Sequence, residues 1–440
     1  MRIIENRYDK YKDSGIAWIG EIPEHWEVRR LKHLGNNYNG LTYSPNDICG
    51  SEDGILVLRS SNIKDNKLCF DDNVYVKKEI HQKLIVNKGD ILICSRNGSA
   101  ELIGKAAFIE LQMVATFGAF MMIFKGTYNI YHKYLFYIVT SCISQYKWLF
   151  TTATINQLTS SMLGEIFAPF INNYLEQQPI ATYLDQKCGE IDELITLQEE
   201  MITKLQSYKQ SVITEAVTKG LDKNVPLKDS GIEWIGEIPE HWTSTVFKKF
   251  LSEPMQYGAN EPAEECNYND PRYIRITDIK DDGTLRDDTF KSLPLEKAKE
   301  YMLTKGDLLF ARSGATVGKT FLYKEDYAAC FAGYLIKARC NKNELLPNFV
   351  FYYTLSNVYQ NWKNSIFIQS TIQNIGADKY SVMPIIVPPL SEQQSIADYL
   401  DQKCSEIDEL ISIKQQKIEK LKDYKKSLIF ECVTRKRKVS

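Results

Sequence analysis

Residues 12–26 read KDSGIAWIGEIPEHW and residues 228–242 read KDSGIEWIGEIPEHW, so 14 of 15 positions agree when Lys12 is set on Lys228. Residues 181–195 (ATYLDQKCGEIDELI) recur at 397–411 (ADYLDQKCSEIDELI), with 13 of 15 identical, and Ala181 to Ala397 is the same step as Lys12 to Lys228. One offset held by two distant blocks means one duplicated structural unit. Two such units fill nearly all of the chain, and one more repeat would begin just past Ser440. The order of blocks predicts a closed ring of two pseudo-equivalent halves, in which the C-terminal tail would meet the N-terminal segment as residues 220–227 lead into the second copy. Joining the two ends and opening the chain near Asn224 should leave folding intact; a permutant that loses its cooperative melt would contradict closure.

The repeated helical blocks carry an apolar stripe. It runs through Ile191, Ile195, Ile202, Leu205, Val212 and Ala216, and again through Ile407, Ile411, Ile418, Leu421, Leu428 and Cys432. Steps of three, four and seven draw one face of a helix. Polar residues interrupt both seams, Gln198 and Lys209 in the first and Lys414 and Lys425 in the second, and such residues can fix register at some cost in stability. Pro388-Pro389 followed by Ser391 and Gln394 predicts a capping box at the second helix start. The first copy has Leu175 in the serine's place, and Pro179 draws the start toward itself because proline is tolerated only in a first turn. A helix from Pro179 to Lys219 would be on the order of 60 Å long, with Gly220 and Pro226 marking its exit. Its apolar face needs a partner, and the twin helix supplies one in an antiparallel coiled coil.

Between the repeated blocks lie two divergent stretches, 27–170 and 243–386, with short β-type runs at 55–58, 90–94, 273–276 and 307–311. Sparse anchors survive there: Arg59 and Arg275 keep the register of the repeat, as do Arg96 and Arg312, while the Lys-Gly-Asp triplets ending at Asp90 and Asp307 slip by one. The expected fold class is α/β (α+β): two similar mixed α/β domains separated by two long helices forming an antiparallel coiled coil, pseudo-two-fold, in a circular arrangement. The expected partition is a first globular domain at 1–173, a long helix at 174–222, a second globular domain at 223–388 and a second long helix at 389–440. Two similar frames with unlike contents suit a device with two different readers.

Composition narrows the class. Hydrophobic content of 44% and charged content of 25% are those of a globular protein. The start is polar and no apolar run reaches the length of a membrane span, so the expected place is the cytoplasm, with no membrane partner. Ten cysteines without a CxxC pair and five scattered histidines give no metal-ligand spacing. A formal net charge of −2 argues against an all-over basic coat and leaves room for a local basic face. Twenty-six tyrosines suit binding surfaces, offering large area with few rotors.

The order KDSGIEWIGEIPEHW, then KGDLLFARSGATVGKT at 305–320, then VPPLSEQQSIADYLDQKCSEIDELI at 387–411 resembles the specificity subunit of Type I restriction-modification systems. The resemblance covers both halves. It implies two target-recognition domains, each reading one half of a bipartite, asymmetric sequence in double-stranded DNA, and two long helices that set the gap between half-sites. It also implies a chain with no catalytic centre and no cofactor of its own. Its partners would be two adenine methyltransferase subunits that use S-adenosylmethionine, and ATP-dependent restriction/translocase subunits. The first copy departs from the pattern at Asn172-Asn173-Tyr174, where the second has Pro388-Pro389-Leu390.

Individual motifs carry less. The stretch from Ser313 to Thr320 has the ending of a P-loop, but a Walker A loop needs glycine where Ser313 stands. A polar strand-to-strand loop presenting Arg312, Ser313, Thr316 and Lys319 to DNA is the better reading, beside the plain alternative of a solvated turn. Asn269-Asp270-Pro271-Arg272-Tyr273 lacks the second proline of an adenine methyltransferase signature and reads as a turn before a strand. Thr42 and Tyr43 after Gly40, and Gln256, Tyr257 and Asn260 around Gly258, occupy similar places in the two units. Each set suits a loop that approaches DNA closely, with Gln256 or Asn260 able to pair with adenine, and each equally suits a plain connector. Arg59, Arg96 with its neighbour Asn97, Arg275 and Arg312 are candidates for phosphate contacts, with internal salt bridges as the alternative. Trp18, Trp26, Trp234, Trp242, His25 and His241 read as packing, and the basic run 435–438 as a solvated helix end. A coiled-coil assembly adaptor whose globular domains bind proteins is the competing functional class.

Overall fold

A computed structural model describes residues 8–150, 156–263, 267–280, 282–314, 316–368 and 374–434. The basic run 435–438 lies outside them. The chain divides into two compact units, Met1–Leu197 with Lys417–Ser440, and Gln198–Gln416.

In the first unit the repeated block forms a hairpin, Tyr11–Asp13 against Glu21–Pro23. The centre is a four-stranded antiparallel sheet, ordered Ala106–Phe108, Ile91–Cys94, Met121–Gly126, Gly35–Asn39. All four residues of Ile91–Cys94 are buried, as a strand covered on both faces requires. Its side chains alternate between two cores. Ile91 and Ile93 join Met122, Phe124 and the helix His132–Gln145 on one side, and Leu92 and Cys94 join Leu58, Phe117 and Ile123 on the other. Ala115–Phe117 runs parallel to Ile55–Leu58, which also pairs with Val74–Val76.

The second unit repeats this plan. Its hairpin is Leu227–Asp229 with Glu237–Pro239, and its sheet order Thr320–Leu322, Leu308–Ala311, Leu335–Ala338, Gln256–Tyr257 matches the first. Leu308 and Phe310 face one core and Leu309 and Ala311 the other. Arg272–Ile274 runs parallel to Ala329–Phe331, as its counterpart does. The strands predicted around 55, 91, 273 and 308 are thus all present, and the two recognition domains share their central topology.

The Lys-Gly-Asp triplets explain one recurrent detail. Gly89 and Gly306 adopt φ of +94° and +98°, backbone that only glycine enters freely. The aspartate that follows closes the turn, Asp90 accepting from Asn87 N–H at 2.8 Å and Asp307 from Thr304 N–H at 2.8 Å. Asp307 is fully buried and also takes two bonds from Arg339, at 2.7 and 2.8 Å. Asp90 has one cation, Lys125 at 3.2 Å.

The long helices are Tyr174–Lys219 and Leu390–Thr434. Within the first unit, Ile180, Leu184, Cys188 and Ile191 share a core with Leu428, Cys432 and Val433, and Lys425 meets Asp192 at 2.6 Å. Within the second, Val212, Ile213, Ala216 and Val217 share a core with Ile396, Leu400 and Cys404, and Lys209 meets Asp408 at 2.6 Å. In each unit the segments run antiparallel. The two ion pairs are copies of each other, since Lys209 and Lys425 hold equivalent places in the repeat and so do Asp192 and Asp408. Inside the first unit the C-terminal segment completes the core of the repeated block, where Leu428, Cys432 and Val433 share a cluster with Trp26 and are joined by Ile16 and Trp18. Val212, Ile213, Ala216 and Val217 do the same with Ile232, Ile235 and Trp242 in the second.

Both helix starts differ from expectation. Pro179 lies inside the first helix, which begins a turn and more earlier, at Tyr174. Asn173 Oδ1 accepts from Leu175 N–H at 3.1 Å, supplying a cap where proline withholds one interior bond. The second helix begins at Leu390, which puts Ser391 in its first turn and not at the cap position. Pro389 O accepts the first bonds of that turn, from Glu392 and Gln393 N–H. The stronger fastening is a buried glutamine in each copy. Gln177 accepts from Tyr131 N–H at 2.7 Å and donates to Ile171 O at 2.7 Å. Gln393 accepts from Leu346 N–H at 2.7 Å and donates to Pro388 O at 2.8 Å and Glu344 O at 2.9 Å. Beside it, Glu176 takes Trp26 Nε1–H and sits 3.1 Å from His25, as Glu392 takes Trp242 Nε1–H and sits 2.7 Å from His241.

Candidate nucleic-acid interface

In the first unit the strand Gly35–Asn39 leads into a segment pressed against the turn before Met121–Gly126. Gly40 N–H bonds to Met121 O and Leu41 N–H to Phe117 O. A Cβ on Gly40 would lie 2.1 Å from Gly118 O, and one on Gly258 would lie 2.4 Å from Ala332 O. Only glycine allows this approach, and it fixes where the next residues emerge. In the first unit they emerge into an open cleft of about 1230 Å³ whose lining includes Thr42, Tyr43, Arg59, Arg96, Asn97 and Phe120. All five sequence-derived candidates of this unit are therefore brought to one concavity.

The arginines divide by partner. Arg59 N–H bonds to Asn62 Oδ1 at 2.9 Å, and its guanidinium pairs with Asp72 at 2.7 Å on the cleft wall. In the second copy an acid, Asp278, stands in the place of Asn62 and is fully buried. It draws Arg275 onto itself through Nε at 3.1 Å and Nη2 at 2.8 Å, with Thr289 O taking a further bond at 2.9 Å. Arg275 therefore makes the internal salt bridge that was its alternative reading, and it braces the fold. Arg96 and Arg312 are different. Among the described residues neither has an acidic partner. Arg96 lies over the Phe120 ring at 5.6 Å and Arg312 over the Tyr257 ring at 5.0 Å.

The remaining candidates of the second unit separate similarly. Gln256 is tied to Glu300 O through its amide at 3.0 Å, and Tyr257 accepts from Ala377 N–H at 3.0 Å, so both support the sheet edge. Asn260 is exposed. The loop at 312–320 is a connection between antiparallel strands, with Val317 N–H returning to Gly314 O. No helix follows it, so the P-loop context is missing. Ser313 bridges to Asn374. Thr316 has a hydroxyl that is buried without a hydrogen-bond partner among the described residues. Lys319 closes the turn by donating its N–H to Thr316 O. Asn269 and Asp270 form the expected turn before a strand.

Two residues escaped the sequence reading. Phe120 and Tyr334 stand at equivalent tips before the strands Met121–Gly126 and Leu335–Ala338, and each is 60% exposed. The register of the repeat would set Phe120 on Ile336 instead, so a slip of two hides the match. Burial pushes the thiols of Cys330 and Cys340 up to about 12 and that of Cys404 to about 11, leaving these cysteines as core residues. Among the described residues no cluster of His, Cys, Asp or Glu is arranged to hold a metal, and no helix is long and apolar enough to cross a membrane.

Comparison with known proteins agrees with this architecture. The family model of the Type I restriction modification DNA specificity domain matches residues 23–206 and 255–423, and the chain belongs to that family. The Type I restriction enzyme EcoKI specificity subunit of Escherichia coli (strain K12) is 24% identical over 398 residues, covering 87% of this chain and 83% of that protein. The StySPI specificity subunit of Salmonella potsdam is 24% identical over 394 residues with the same coverage. A solved chain from work on complex assembly and conformational transition of the type I R-M system aligns over 94% of this chain and 98% of its own. Its TM-score is 0.67 at 15% identity, a likeness of fold.

Proposed function

We propose that this chain is the DNA sequence-specificity subunit of a Type I restriction-modification system, reading a bipartite, asymmetric duplex target with one half-site per recognition domain. The observation that carries this is the pairing of sameness with difference. Gly40 and Gly258, and Arg96 and Arg312, hold the same positions in the two domains, while the side chains beside them differ: Thr42, Tyr43 and Asn97 in one, Asn260 and Ser313 in the other. Common cations suit phosphates, which position the duplex, and unlike polar groups suit base edges, which specify it. The paired helices serve as the spacer, and their repeated surfaces and hairpin blocks dock two methyltransferase subunits and, through the complex, restriction/translocase subunits. The chain does no chemistry itself and acts in the cytoplasm with those partners.

Selection from a random duplex pool, with the methyltransferase partner supplied, tests this reading. Enrichment of two short defined elements at a fixed gap is expected; a pool that stays random favours a protein-binding adaptor. Arg312 and Arg275 give a finer check. Arg312→Ala should weaken binding equally on matched and mismatched duplexes and lower the salt slope by about 1. Arg275→Ala should lower the melting temperature and leave the salt slope unchanged. Sequence-selective loss in the first, or a lowered salt slope in the second, contradicts the division made above.

A further inference from the structure

We infer that Phe120 and Tyr334 are base-contacting residues, one in each recognition domain, whose rings pack against the bases of their own half-site and so help set its sequence. The inference rests on the DNA-reading function proposed above and names side chains that the sequence pattern does not single out.

A single exposed aromatic ring needs no explanation, but these two share a setting. Each stands on a strand connection whose remaining residues are small or glycine, Gly118-Ala119 before Phe120 and Ala332-Gly333 before Tyr334, so the ring is the one large side chain of its turn. Each is pinned through its backbone. Phe120 O accepts from Ser95 N–H at 3.0 Å and Arg96 N–H at 3.2 Å, and Tyr334 O accepts from Arg312 N–H at 3.0 Å. The pinning partner is thus the arginine that lacks an acid in both domains. A ring on a rigid tip loses little freedom when it binds, which is the condition under which its area becomes affinity.

The neighbours supply hydrogen-bonding groups of the kind that read base edges. Phe120 lines the cleft that also holds Thr42 and Asn97. In the second unit Gly333 N–H bonds to Ala259 O at 2.7 Å, and a Cβ on Gly333 would lie 3.4 Å from Asn260 Oδ1, which sets Asn260 beside the Tyr334 tip. An aromatic ring flanked by an amide or hydroxyl and a cation matches what a base pair in duplex DNA offers. The polar group meets the edge, the ring meets a thymine methyl or an opened base step, and the cation meets the phosphate. The two sites differ in ring and in polar neighbour, as unlike half-sites require.

The test uses the whole chain assembled with its methyltransferase partner, reading the methylated adenines left on a library of random duplexes. Phe120→Ala and Phe120→Leu should each relax one half of the split motif, raising methylation at sites mismatched in that half at least tenfold relative to matched sites. The other half should be unchanged. Tyr334→Ala should relax the opposite half, and Phe120→Tyr and Tyr334→Phe should retain most of the selectivity. The leucine variant keeps apolar bulk and removes the aromatic face, and melting temperatures near wild type accompany the expected result. An unchanged motif in the alanine variants, or a uniform loss over both halves, overturns the assignment of these rings. Absence of any split motif with the unmodified chain would instead overturn the function on which it rests.

Discussion

Truncation after Ser427 is expected to unfold the first unit and leave the second with its own transition. The removed segment carries Leu428, Cys432 and Val433, all buried in the core that holds Trp26, Leu31 and Leu184. It also carries Phe430, whose ring lies 6.2 Å from Trp18. A lost Leu-sized side chain costs about 2–5 kcal/mol. Leu428 together with the smaller Cys432 and Val433 and the Phe430 ring reaches the order of the whole stability of a domain, about 5–15 kcal/mol. The second unit obtains the same packing from Val212, Ile213, Ala216 and Val217, which the truncation leaves in place. Calorimetry of the 1–427 chain should show the first transition lost and the second kept. A melt indistinguishable from that of the full chain would mean that the tail does not complete the first core.

The second large effect is expected at Asp307. Its carboxylate is fully buried, closes the turn through Thr304 N–H and takes two bonds from Arg339. Losing the carboxylate leaves Thr304 N–H without its acceptor and Arg339 with Glu253 alone, at 3.2 Å; an orphaned buried group costs about 1–3 kcal/mol, so Asp307→Ala should lower the urea midpoint of the second unit. Asp90, its counterpart, behaves differently. Burial, the largest influence on it, raises its carboxyl above the usual carboxylate range against the opposing pull of Asn87 N–H and Lys125. A raised folded pKa means that the folded state holds this proton more tightly than the unfolded chain does. The group therefore favours folding below its unfolded pKa, and that contribution is lost as pH rises through the folded value. At neutral pH the buried charge at Asp90 is thus a cost, and Asp90→Asn, which keeps an acceptor for Asn87 N–H, should lose far less than Asp307→Ala. Equal losses at the two sites would contradict the difference in their partners.

Much of the architecture was legible in the chain because duplication makes its own alignment. The single offset that sets Lys12 on Lys228 found the two repeated N-terminal blocks, both long helices and the seam lysines, and the β-type runs located the central strands, while the hairpin shape of the repeated blocks came only with the structure. What escaped has physical causes. Pro179 was read as a helix start because a proline forfeits one bond, but Asn173 caps the preceding turn and Gln177 ties that turn to Tyr131 and Ile171, outside the helix. Ser391 fitted a capping box, yet Pro389 O and Gln393 satisfy that end. Local spacing cannot show where a side chain finds a distant partner.

The candidate interface was legible in outline only. Gly40 and Gly258 were read as loops near DNA, and what they show is a close approach of backbone to a neighbouring turn, while Thr42, Tyr43, Arg59, Arg96 and Asn97 do line one cleft. Arg59 and Arg275 match in register and each pairs with an acid, Asp72 on the cleft wall for the first and the buried Asp278, in the place of Asn62, for the second. Phe120 and Tyr334 were hidden by their slip from the common register, since loops between matching strands change length more freely than the strands themselves.

The most direct measurement is a map of methylated adenines in cells that carry this chain with its methyltransferase partner. Two similar frames with unlike contents, held on one doubled scaffold, should produce a single motif of two short specified parts, separated by an unspecified run of constant length. One continuous motif, a gap that varies from site to site, or no methylation tied to this chain would contradict that account.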